Sequence, residues 1–229
     1  MESRAIKTIS RAVGILYILG TVFGLVSIVL TNSILSSDNV LGSVNSHQTK
    51  LVLGALAVLA MGLALAMIPI VAYPVLSRSS TLLARGYFLF RSVLETVAYL
   101  LTTVGWLVLI PLSSSTDVAK VWGDTLINSE GVAEAGSIVF LIGASMFYLV
   151  LFRAKLVPRW LSSWGLLAVI PDLVLLFLGL FSTVDVSTGS TLGTVLEIPL
   201  ALQEMVLAVW LIAKGFDSRR VALQEQPGS

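Results

Sequence analysis

Five ionisable residues lie in stretches of sequence that are otherwise apolar: Arg91, Glu95, Asp172, Glu197 and Glu204. A charge in the hydrocarbon of a bilayer costs about 2.5–3.5 kcal/mol on insertion scales, so such residues are paired, face a bundle interior or serve function. Arg91 and Glu95 are four apart, on one helix face, where guanidinium and carboxylate can pair. Tyr87 and Tyr99 extend that stripe by a turn in each direction, with Thr102 close to it. Glu95, Asp172 and Glu204 stand ten or eleven residues from Arg85, Leu161 and Lys214 respectively. At about 1.5 Å of rise per residue, all three carboxyls fall ~15 Å deep, at the bilayer midplane. Arg91 lies one turn nearer the boundary, within reach of the same layer.

Three carboxyls opposite one guanidinium do not balance. The fork of an arginine satisfies one carboxylate or is shared between two, so at least one acid carries a proton or faces a bound cation. The chemistry this suggests is the holding of a cation, a proton or a small polar ligand. Glu197, seven residues before Glu204, shares its face about 10 Å further out, as an outer step or as an interfacial residue. Pro171 and Pro199 free the carbonyls of Leu167 and Val195, which either kinks the helices or helps to build a site. Paired acids could also serve as general acid and base of an intramembrane lipid-modifying enzyme. The chain has no cysteine, no intramembrane histidine, no Gly-x-Ser-x-Gly turn and no Asp-rich metal motif, so covalent or metal-dependent catalysis has little support. A third reading makes the charges a buried ion-pair network that only holds helices together, in a structural or sensory subunit.

The elements that must position these residues follow from composition. Of 229 residues, 56% are hydrophobic and 12% charged, about half the charge of an average globular domain. Six stretches are long enough to span a bilayer: 12–30, 51–73, 87–110, 135–152, 161–181 and 192–213. The expected fold is all-α, a polytopic membrane protein forming one six-helix transmembrane domain. Lysine and arginine set its orientation. With Arg91 set aside, eleven lie on the side of the termini and the second and fourth connectors, against Lys50 and Lys120 on the other. Both termini are therefore expected in the cytoplasm, in a plasma (cell) membrane. The first span is too long for a signal h-region and no small-x-small cleavage site follows it, so it is expected to be retained.

Other features are weaker. The third connector could form a surface helix capped by Ser115 or Thr116, with Val118, Val121, Trp122 and Leu126 on one face. Gly20 and Gly24 form a small-residue pair suited to close helix packing, either within the chain or in a homodimer; Ala60 with Ala64 and Gly62 with Ala66 form looser pairs. No internal repeat is visible. The single histidine, His47, cannot build a multi-histidine centre, no metal site or cofactor is indicated, and a net charge of +1 gives no footprint for nucleic acid. The expected partners are the lipid bilayer and a small polar or cationic ligand.

The string Pro158-Arg159-Trp160-Leu161-Ser162-Ser163-Trp164-Gly165, the Arg91-x-x-x-Glu95 face after Gly86-Tyr87, and the run from Glu204 to Trp210-Leu211-Ile212-Ala213-Lys214-Gly215-Phe216 resemble a family of bacterial six-span membrane proteins defined as a domain of unknown function. The opening Ala12-Val13-Gly14-Ile15-Leu16-Tyr17 is similar too. The resemblance implies a fold and a membrane address, and carries no activity with it.

Overall fold

A computed structural model describes residues 2–114, 130–180 and 191–224, with side chains over 2–114, 136–177 and 198–224. The described residues are helical throughout their long elements: α1 (Ser3–Leu35), α2 (Val40–Ser46), α3 (Gln48–Ser79), α4 (Thr81–Tyr87), a π-helix (Phe88–Leu94), α5 (Glu95–Ser113), α6 (Glu130–Ala154), α7 (Arg159–Leu180), α8 (Thr191–Ala213) and α9 (Ser218–Leu223). Five described helices are long and apolar enough to cross a membrane, with a shorter apolar helix, Ile198–Ala213, within α8. The fold is an all-α membrane bundle. The expected surface helix of the third connector, Lys120, and the side chain of Glu197 lie outside the described residues.

The helices run past the apolar limits read from the sequence. α1 starts at Ser3 rather than Ala12, and α3 continues through Pro69 and Pro74 to Ser79. Apolar runs mark only the part that needs hydrocarbon, whereas intrahelical hydrogen bonding continues through polar ends until a breaker intervenes. The third span begins six residues early, because α4, the π-helix and α5 form one continuous helical rod from Thr81 to Ser113. Ser80 is extended and its Oγ accepts the Leu83 N–H, which caps α4 and separates it from α3.

Packing follows small residues and short polar links. α1 packs on α3, α3 on α5, α6 on α7, and α8 on both α1 and α7. A Cβ at Gly20 would come within 2.6 Å of the Leu65 side chain, and one at Gly24 within 2.9 Å of Met61 Sδ. The Gly20–Gly24 face is thus packed inside the chain, against α3. Ser27 Oγ donates to the Gly54 carbonyl at 3.1 Å, and Ser92 Oγ to the Ala66 carbonyl at 2.6 Å, tying α1 and the π-helix to α3. Such links have no water competing for them in lipid.

The two ends of the bundle differ. At one, Gly215 takes a left-handed conformation (φ 79°) that turns the chain after α8. Phe216 N–H then donates to Ser10 Oγ at 2.9 Å, Asp217 N–H to the Leu156 carbonyl at 2.8 Å, and Ser79 Oγ to Gln224 Oε1 at 2.6 Å. The N-terminal segment, the second and fourth connectors and the C-terminal segment therefore meet at one end. At the other, α2 seals a small separate core of Ile34, Val44, Leu51 and Leu109.

Candidate functional site

Arg91 stands in the middle of the π-helix, whose register is marked by the Glu95 N–H donating to the Phe90 carbonyl five residues back. π-turns carry one extra residue per turn and often occur at functional sites. Helix α6 closes on this turn: a Cβ at Gly143 would lie 3.2 Å from the Phe90 Cβ and 3.6 Å from the Arg91 nitrogen. One turn earlier on α6, the Phe140 ring lies under the Arg91 guanidinium, 4.8 Å from its carbon to the ring centroid. The arginine is thus held on one side by a cation–π contact.

On the other side it meets two carboxylates. Arg91 Nη1 lies 3.2 Å from Glu95 Oε1, with both side chains 3% exposed. Arg91 Nη2 lies 3.9 Å from Glu204 Oε1 on α8, a looser approach, and Glu204 is 17% exposed. Tyr99 Oη donates to Glu95 Oε1 at 2.8 Å, so that oxygen serves both the arginine and the tyrosine. Tyr99 itself fits against α3 at Gly62, where a Cβ would lie 2.8 Å from the ring. Thr103 Oγ1 donates to the Tyr99 carbonyl at 2.8 Å and continues the polar face of α5; Thr102, set beside that stripe, donates to Ala98.

A shell of tyrosines surrounds the pair. Tyr87 stacks on Phe147 at 4.7 Å between centroids, and Phe147 also touches Tyr17 and Tyr148. Tyr17, Tyr87 and Tyr148 are near enough to Arg91 and Glu204 to feel their charges. Several buried polar atoms here have no hydrogen-bond partner among the described residues: Arg91 Nε, Glu95 Oε2, Tyr87 Oη and Tyr148 Oη. Buried polar atoms are ordinarily satisfied, because leaving one bare costs about 1–3 kcal/mol.

Of the residues singled out from sequence, the structure brings Arg91, Glu95, Glu204, Tyr87 and Tyr99 together. Asp172 is half-buried on α7 beside Pro171, while Arg91 forms its ion pairs with Glu95 and Glu204. Among the described residues, no three His, Asp or Glu side chains gather in a way that could hold a metal ion. Sequence reasoning missed Phe140, Tyr17 and Tyr148. Tyr17 and Tyr148 stand six and five residues from Arg11 and Arg153, so the depth arithmetic applied to the acids would have placed them about 8–9 Å deep, at the level of Arg91. Phe140 gave no such signal.

Glu204 also faces outward. With Thr21 of α1 and Ile198, Ala201, Leu202 and Met205 of α8, it lines a groove of about 220 Å³.

A helical membrane bundle with a buried arginine between two carboxylates is the class of protein that fold and site define. The chain belongs to the family described as a domain of unknown function, DUF4386, whose pattern matches residues 12–215. Neither the curated proteins nor the solved structures provide a significant match.

Proposed function

We propose that this chain is a small transporter or ligand-binding protein of a bacterial plasma membrane, with both termini in the cytoplasm and a cation or small polar ligand held at the Arg91–Glu95–Glu204 cluster. The observation that carries the reading is the double position of Glu204. Its carboxyl lies 3.9 Å from Arg91 and at the same time lines a groove, with 17% of the side chain exposed. An acid that served only as a brace would be expected to close on its arginine as Glu95 does. The orientation rests on eleven basic residues against two, and on the meeting of both terminal segments at one end of the bundle.

Proteoliposome flux tests it. Wild-type chain should conduct protons or monovalent cations, and Glu204→Gln should reduce the flux at least tenfold. No flux above protein-free vesicles, or undiminished flux in Glu204→Gln, would remove transport from the reading, and absence of Glu204-dependent cation binding would remove the rest.

The second reading, a structural or sensory subunit, draws on the other half of the cluster. Arg91 and Glu95 are each 3% exposed, 3.2 Å apart on one helical rod, and enclosed by Phe140 of α6 and Tyr99, as in a buried structural ion pair. Its mark would be a loss of stability in Glu204→Gln as large as that in Glu95→Gln.

A further inference from the structure

Resting on the cation-binding reading above, we propose that the ligand is an amphiphilic monocation that enters from the bilayer through the groove between α1 and α8, with its cationic head against Glu204 and its apolar body along Ile198, Leu202 and Met205. The groove opens on side chains turned toward lipid. Ile198 is 47% exposed and Leu202 53%, so a fully hydrated ion would meet an apolar lip before it met the carboxyl. Thr21, the other polar residue lining the groove, already donates its hydroxyl to the Tyr17 carbonyl at 3.1 Å. Glu204 is the charged group among the six lining residues.

Charge points to the sign of the head. The guanidinium nearest Glu204 is already engaged by Glu95 at 3.2 Å, against 3.9 Å for Glu204. One arginine between two carboxylates leaves the outer acid open to a second cation. The hydrocarbon that surrounds the groove favours an apolar tail on whatever carries that cation.

The full chain in nanodiscs is titrated with tritiated decyltrimethylammonium and, separately, with tritiated tetramethylammonium, each corrected for protein-free nanodiscs. Saturable decyltrimethylammonium binding is expected, at least tenfold tighter than that of tetramethylammonium. Glu204→Gln and Leu202→Trp should each weaken it at least tenfold. Val29→Trp, which adds the same bulk to the lipid-facing side of α1 two turns beyond Thr21, should change it less than twofold. Tetramethylammonium binding that depends on Glu204, equals that of decyltrimethylammonium and ignores Leu202→Trp would overturn the lipid-side groove and leave the cation-binding reading standing. If neither ion binds in a Glu204-dependent way, both fall. Should Glu204→Gln fail to fold, Leu202→Trp against Val29→Trp still decides, and equal affinities in those two variants overturn the groove.

Discussion

Glu95 and Glu204 approach the same guanidinium from two helices, and their surroundings differ. Glu95 lies at the junction of the π-helix with α5, 3.2 Å from Arg91, accepting from Tyr99 and sealed to 3% exposure. Glu204 lies on α8, 3.9 Å from Arg91, 17% exposed and lining the groove with Thr21 of α1. In the sequence the two acids share a calculated depth in apolar spans, Glu95 four residues from Arg91 and Glu204 seven from Glu197. The difference teaches that depth in the membrane sets the cost of a charge, whereas the neighbours at that depth decide how tightly it is paired and sealed.

Substitutions at each side sharpen or break that contrast. The largest effect belongs to the shared cation: Arg91→Leu strands both carboxyls and should cost about 3–5 kcal/mol, read by denaturant unfolding in mixed micelles. Glu95→Gln comes next, with a loss of about 2–3 kcal/mol, since Glu204 remains as a distant partner for Arg91. Gly62→Ala acts on the same side without touching a charge. Its Cβ would meet the Tyr99 ring at 2.8 Å and the Tyr99 Cβ at 2.9 Å, so α5 must shift and thermal stability should fall by about 1–3 kcal/mol. Glu204→Gln should be the mildest, below about 1 kcal/mol, because its 3.9 Å approach is looser than the 3.2 Å of Glu95 and its loss leaves Arg91 paired with Glu95. A cost for Glu204→Gln equal to that of Glu95→Gln would erase the contrast.

Much of this arrangement was legible in the residues, and the remainder has physical reasons for being hidden. Spacing of four placed Arg91 with Glu95, and the rise per residue put Glu204 at their depth; both meet in the structure. Rise gives depth but not direction around the bundle axis, so the sequence could not say which acids at that layer turn toward Arg91; the structure shows Glu95 and Glu204 doing so. The π-helix left no trace in the pattern, because one extra residue in a turn does not alter which residue types are apolar. Phe140 reads as an ordinary membrane aromatic until α6 closes on the π-helix at Gly143 and brings its ring under Arg91. The glycines show the same dependence on context. Gly20 and Gly24 suggested a contact face, but only the packed chain shows that Leu65 and Met61 occupy it.

Accessibility from the lipid separates the two acids most directly. Dicyclohexylcarbodiimide, an apolar reagent that modifies carboxyl groups reached through the bilayer, is applied to the full chain in nanodiscs and the adducts are located by peptide mass spectrometry. The expected result is modification of Glu204 with Glu95 left intact. Modification of Glu95 at the same rate, or protection of both, would contradict a closed Arg91–Glu95 pair beside an open Glu204.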